Sequence, residues 1–298
     1  MTYSFSLGIP LRRALSTGAL LTLALSGCTQ NPPGPVITAT STGGSASTVT
    51  NADAHPYADY TEQVWSDEFD ATSLDATKWT PEVQDVWFNN ELEATTNSRT
   101  NVNVVNGLLN ITAVQENYHG RTYTSARINT KGKKEFTFGR LDVRAKVPKG
   151  KGIWPAIWML GANDSQVSWP ACGEIDIMEL KGSSPTVAYT TMHFGNTVAT
   201  HQYKGSPYTL PTGASPDFSG DFHLYSAVRS QNQIDFYVDG TKYFTFTSGD
   251  AAPYPFNNPF YVILNVAVGG DFDGNPDAST TFPQTMQVDY VKFLQYKQ

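Results

Sequence analysis

The sequence predicts an all-β domain, a two-sheet sandwich or jelly roll, on three observations. Apolar and polar residues alternate at period two in Leu141-Asp142-Val143-Arg144-Ala145-Lys146-Val147, as on a half-buried strand. Asn106-Gly107 and Asp239-Gly240 interrupt apolar runs, and such dipeptides make two-residue hairpins because each central residue tolerates positive φ. Beyond the leader, no segment of ten or more residues carries an i, i+3, i+4, i+7 apolar stripe. Strands without a helical layer must cover one another's apolar faces, which requires two sheets.

Along the chain, the leader comes first. Arg12 and Arg13 precede the apolar stretch Ala14 to Leu25, long enough for a secretory h-region and too short to span a bilayer. It ends in Leu25-Ser26-Gly27-Cys28, which resembles a bacterial lipobox. Residues 1–27 are therefore expected to be a lipoprotein signal peptide and Cys28 the lipidated mature N-terminus. Thr29 follows Cys28, so the aspartate that retains lipoproteins in the inner membrane is absent, and an outer-membrane anchor is expected in a two-membrane bacterium. Residues 28–58 are rich in Thr, Ser, Gly, Pro and Ala and read as a flexible tether. Residues 59–298 read as one domain. Its hairpins join Val102–Val105 to Leu108–Val114 and Ile234–Val238 to Tyr243–Phe246, and Met286–Tyr296 is a closing strand.

Composition excludes several classes. Charged residues make up 16% of the 298, against about 25% in ordinary domains. A hydrophobic share of 40% with 12% aromatics is too apolar for a disordered chain. The formal charge of -7 offers nucleic acid no basic surface. Two cysteines make neither a disulfide framework nor a four-cysteine zinc site.

Chemistry concentrates in Gly173-Glu174-Ile175-Asp176-Ile177-Met178-Glu179-Leu180. On a regular strand Glu174 and Asp176 share a face and Glu179 points to the other. All three converge only if a β-bulge absorbs one residue, Met178 or a neighbour. Two carboxylates facing one cleft are what glycoside hydrolysis needs, one as nucleophile and one as acid and then base. Trp154 and Trp158, four residues apart, share a strand face and suit the apolar C–H faces of sugar rings. Cys172 has no Cys-His arrangement around it and reads as a small buried thiol. His193 lacks a second histidine at metal spacing, and Met178 either lines the cleft through the bulge or fills a gap in the core.

Glu174-Ile175-Asp176-Ile177-Met178-Glu179 resembles the active-site strand of glycoside hydrolase family 16, in the bulged form of laminarinases, agarases and carrageenases. The similarity extends to Trp87-Phe88-Asn89-Asn90-Glu91-Leu92, Tyr123–Ile128, Gly152–Leu160, Trp169–Gly173, Met192-His193-Phe194, Leu264–Gly270 and Val288–Val291. The resemblance implies a concanavalin-like β-jelly roll with its substrate cleft on the concave face. It implies Glu174 as nucleophile, Glu179 as general acid/base, and Asp176 orienting Glu174 and managing its charge. Asn90, Arg127, Trp154, Trp158, Trp169, Met178 and His193 are the implied substrate-binding residues, His193 on the leaving-group side. No cofactor is implied for catalysis. A structural calcium ion is implied on the convex face, at positions matching Glu68, Gly107 and Asp289.

The expected activity is retaining, endo-acting cleavage of laminarin-type β-1,3-glucan. The alternatives are an agarase, a mixed-linkage β-glucanase, or a glycan-binding module without turnover. A pure binder has no need of two glutamates bracketing an aspartate. Glu93-Ala94 and Asp271-Phe272 stand where laminarinases usually carry aromatic residues, and both departures are expected near substrate subsites. The expected partners are β-glucan polysaccharide and a membrane reached only through the lipid, with the domain periplasmic or extracellular and the protein a monomer.

Overall fold

The computed structural model describes residues 51–213 and 216–297. The leader, Cys28 and the tether up to residue 50 lie outside the described residues. Seventeen strands follow in order. The first nine are β1 (Tyr60–Asp67), β2 (Thr80–Pro81), β3 (Glu93–Thr95), β4 (Val102–Val105), β5 (Leu108–Tyr118), β6 (Arg121–Ser125), β7 (Arg127–Asn129), β8 (Gly139–Lys146) and β9 (Ile153–Gly161). The rest are β10 (Glu174–Leu180), β11 (Val187–Phe194), β12 (Gln202–Thr209), β13 (His223–Ser230), β14 (Gln233–Val238), β15 (Thr241–Thr247), β16 (Phe260–Val268) and β17 (Gln284–Tyr296). Both hairpins form as expected. Asn106 and Gly107 sit at φ 55° and 74°, and Asp239 and Gly240 at 50° and 75°.

The strands form a ten-stranded and a seven-stranded sheet. The larger runs β15-β14-β13-β8-β17-β5-β6-β3, with β1 on β17 and β4 on β5. The smaller runs β12-β11-β10-β9-β16-β7-β2. All pairings are antiparallel except the short β3–β6 pair. Leu141, Val143 and Ala145 of β8 and Val262, Leu264 and Val266 of β16 enter one apolar core. By strand alternation, Arg140, Asp142 and Arg144 face out from the larger sheet, and Ile263, Asn265 and Ala267 from the smaller one.

A second small cluster, Tyr60, Val228 and Tyr237 with Tyr57, Leu294 and Tyr296, covers part of the larger sheet's outer face. His55 stacks on Tyr296 with centroids 3.7 Å apart, and the Ala52 carbonyl accepts the Gln231 N–H at 2.7 Å. The folded domain thus begins before residue 59, and the expected tether boundary at 58 is too late. Three aromatic rings in six residues dock individually, so no periodic pattern announces them.

Candidate active site

The decisive local feature is the bulge in β10. Against β11, Asp176 pairs with Thr191 and Glu179 with Tyr189, so Ile177 and Met178 together oppose Thr190. Against β9, Ile177 is the residue skipped. Ile175, Ile177, Met178 and Leu180 all enter the core, and Glu174, Asp176 and Glu179 are left on the outer face. Met178 is fully buried. The expectation that it lines the cleft is corrected: the bulge turns two consecutive residues inward, and its thioether fills core space.

The three carboxylates crowd one another in a poorly solvated site. Burial first, and then the Asp176 charge, push the Glu174 carboxyl up to about 8. The same causes push Glu179 up to about 8. Burial holds Asp176 well above the usual carboxylate range. The set therefore releases its protons in coupled steps, and fewer than three negative charges are held near neutral pH. Electrostatics alone does not separate the two glutamates, but their partners do. Glu179 Oε1 accepts the Trp154 indole N–H at 2.9 Å. His193 Nε2 lies 3.2 Å from Asp176 Oδ2 and 3.7 Å from Glu174 Oε1.

Aromatic rings flank this strand on the same face. Trp158 Nε1 donates to Asn265 Oδ1 at 2.7 Å, which fixes the indole. The Arg127 guanidinium lies between two indoles, 4.4 Å from the Trp87 ring and 4.5 Å from Trp158. Trp169, on the loop before β10, lies 6.2 Å from the His193 ring and 4.6 Å from His201. Asn90 is at the rim, where its amide donates to Asp271 Oδ1 at 2.8 Å. Across the strands the outer face runs from Arg127 on β7 to Tyr203 on β12. Those five inter-strand steps span about 24 Å.

The model of glycosyl hydrolases family 16 matches residues 88–292. This chain belongs to that family. It is 42% identical over 255 residues to a glucan endo-1,3-beta-glucosidase A1 of Niallia circulans, covering 77% of this chain and 37% of that protein. The chain therefore spans little more than a third of that relative. A beta-glucanase of Rhodothermus marinus is 39% identical over 264 residues, covering 82% of this chain and 89% of its own length. The laminarinase catalytic domain of Thermotoga maritima MSB8 superposes with a TM-score of 0.74 at 42% identity, covering 80% of this chain and 99% of that one.

Among the site positions expected of a family 16 chain, the structure brings Glu174, Asp176, Glu179, Arg127, Trp154, Trp158, Trp169 and His193 together, with Asn90 at the edge. The two departures from the laminarinase pattern behave differently. Glu93 and Ala94 are buried, and Glu93 Oε2 accepts the Val268 N–H at 2.8 Å. Both therefore lie inside the fold, not on the open surface of the cleft. Phe272 does reach the cleft wall, 4.9 Å from the Trp154 ring and 5.7 Å from Tyr189. Cys172 is buried as expected, and burial pushes its thiol up to about 11.

The positions expected for calcium lie on the other sheet. Asp67 pairs with Val291 and Leu109 with Val288, so Glu68 and Gly107 both approach the stretch of β17 around Asp289. Asp289 holds Arg144 at 2.5 Å and Glu68 holds Lys292 at 3.1 Å, so each carboxylate already faces a cation. Sequence reasoning missed His201, whose Nε2 lies 2.8 Å from His193 Nδ1. His193 has no second histidine at metal spacing in the sequence, and His201 reaches it as a hydrogen-bond partner. The connection through the turn Val198–Thr200 brings His201 back, and no short spacing signals it.

Proposed function

We propose that this chain is an endo-acting, retaining β-1,3-glucanase that works by double displacement. The observation that carries the reading is the β10 bulge, which puts Glu174, Asp176 and Glu179 on one face beside Trp154 and Trp158. Glu174 attacks the anomeric carbon while Glu179 delivers its proton to the departing glycosidic oxygen. Glu179, now a carboxylate, takes a proton from water, and that water attacks the glycosyl-Glu174 ester to regenerate the nucleophile. The Trp154 N–H aims one Glu179 oxygen and favours its ionised form in the second step. Indole faces pack against sugar C–H faces, and the Arg127 guanidinium, over the Trp87 and Trp158 rings with its Nε 3.3 Å from Glu82 Oε1, offers its other N–H donors to hydroxyls. A face about 24 Å across the strands accommodates sugars on both sides of the carboxylates, as internal cleavage requires. The relatives named for β-1,3-glucan support that linkage.

The test is reducing-end release from laminarin, lichenan, agarose and xyloglucan by a chain begun at residue 48, which keeps the contacts of Ala52 and His55. Release chiefly from laminarin, abolished by Glu174→Gln, is the expected result. Binding without release from any polymer would favour a glycan-binding protein.

Two further parts of the reading concern the rest of the molecule. Lipidation of Cys28 would anchor a monomeric enzyme to a bacterial cell or outer membrane, facing the periplasm or exterior. Cys28→Ala should move the protein from the membrane fraction to the soluble one. A calcium ion at Glu68, Gly107 and Asp289 rests on their convergence alone; it would have to draw Asp289 from Arg144 and add carbonyl or water ligands. A chelator should then lower the unfolding temperature of the calcium-loaded protein; no change argues against the ion.

A further inference from the structure

Glu179 takes its aim from an indole: the Trp154 N–H donates to its Oε1 at 2.9 Å. Trp154 is half-buried on the outer face of β9, where a side chain has more than one rotamer open to it. Trp158, on the same face, donates its N–H to Asn265 of the adjoining strand β16, a partner with no part in proton transfer. Trp154 donates instead to the carboxyl that gives and takes the proton. Its orientation must therefore be set by what packs on its ring.

That packing comes from the loop between β16 and β17. The Phe272 ring lies 4.9 Å from the Trp154 ring at 32° and 5.7 Å from the Tyr189 ring at 83°. Tyr189 is the β11 residue paired with Glu179, and Ala156, two residues beyond Trp154, is the β9 residue paired with it. Phe272 thus spans β10 at the level of Glu179, touching one ring from each flanking strand. The indole also meets the loop backbone: a Cβ on Gly270, which sits at φ 90°, would lie 3.3 Å from Trp154 Cζ3. Both neighbours of Phe272 are anchored. Asp273 is 5% exposed and accepts the N–H of Gly152, just before β9, at 2.8 Å and that of Ser183, just after β10, at 3.1 Å. Asp271 donates its N–H to the Asn89 carbonyl at 2.9 Å and accepts the Asn90 amide at 2.8 Å. The ring between them is held where the indole needs it.

We infer that Phe272 is a positioning residue: its ring holds the Trp154 indole so that the N–H stays on Glu179 Oε1 and the carboxyl stays aimed at the departing oxygen. Phe272 acts through Trp154. The inference rests on Glu179 as the acid/base of the proposed mechanism. It has a signature of its own, because a misaimed acid costs rate according to how much the leaving group needs its proton. A ring that served as a sugar platform would cost rate according to the sugars bound across it.

The test compares phenyl and dinitrophenyl β-laminaribioside, which carry the same disaccharide and no sugar on the leaving side, through kcat/KM, which reports formation of the glycosyl-enzyme. Phe272→Ala should lose about ten- to hundredfold on the phenyl glycoside and nothing on the dinitrophenyl one, whose phenolate departs without a proton. Phe272→Leu, which keeps bulk without the ring, should fall between that variant and wild type, and Phe272→Tyr should match wild type on both. Trp154→Phe, which lacks the N–H, should show the same split, and adding Phe272→Ala to it should cost little more. In the ligand-free protein the Trp154 indole proton, assigned by its loss in Trp154→Phe, should exchange with water faster in Phe272→Ala. Equal losses on the two glycosides, additive losses in the double variant, or an unchanged indole exchange rate would each overturn the inference. So would a loss confined to laminarin, which would make Phe272 a sugar platform. Failure of the wild-type protein on both glycosides would instead strike the β-glucan reading, and the indole exchange would still decide the role of Phe272.

Discussion

On the outer face of the ten-stranded sheet, Asp142 is 3% exposed, receives the Arg140 guanidinium at 2.6 Å and accepts the Ser226 hydroxyl at 2.6 Å. Asp235, similarly buried, lies 3.6 Å from Lys242 and accepts the Thr245 hydroxyl at 2.5 Å. On the outer face of the seven-stranded sheet, Asp176 and Glu179 are equally buried, yet among the described residues no Lys or Arg reaches ion-pairing distance of them or of Glu174. Among the described residues, the one basic group within ion-pairing distance of them is His193. A protein that wanted only a stable sandwich would treat both faces alike. Carboxylates given a guanidinium or ammonium hold structure, and carboxylates crowded together with an imidazole keep protons available for chemistry.

The contrast can be broken most severely at the acid. Glu179→Gln should lower kcat/KM on polysaccharide by about 10²–10⁴-fold while leaving the fold intact, measured as initial rates beside circular dichroism. Met178→Ala should cost about 3 kcal/mol of stability in denaturant unfolding, with KM unchanged, because Met178 belongs to the core side of the bulge. A raised KM at unchanged stability would return it to the cleft. Arg140→Ala, which strands Asp142, should cost about 2 kcal/mol, reduced from the fully buried case by the partial exposure of the arginine. Its turnover at a permissive temperature should match wild type.

Neutralising a cleft carboxylate should have the opposite sign. Glu174 holds its proton up to about 8 in the folded protein, against an ordinary value of 4.5. Between those values the folded state binds more protons than the unfolded one, so this group's contribution to stability is lost as pH rises. Glu174→Gln escapes that loss. It should melt about 2–4 °C above wild type at pH 8 and show no difference at pH 4, by calorimetry at both pH values. A lower melting temperature at pH 8 would mean that the carboxylate is held by a cation after all.

Period-two alternation and the two Asx-Gly turns made the sandwich legible, since each reports a purely local requirement of backbone or pleat. The Glu174-x-Asp176-x-x-Glu179 spacing made the bulge legible too, because the acids cannot otherwise share a face. The identity of the skipped residue was not legible. Ile177 and Met178 are both apolar, and only pairing with Thr190 and Ile157 decides between them. His201 was invisible for a different reason: its partner lies across a turn, and a hydrogen bond between rings leaves no periodic trace. The docking of His55 and Tyr57 was hidden because it depends on Tyr296 and Tyr237, far along the chain.

The most direct test of the central claim, that Glu174 is the nucleophile of a retaining mechanism, is the stereochemistry of azide rescue. Glu174→Ala should be inactive on a β-glucoside carrying a good leaving group and recover turnover in azide. The product should be the α-glycosyl azide, formed by a single inverting attack where the carboxylate is missing. A β-glycosyl azide from the same variant would contradict the account and make Glu179 the nucleophile.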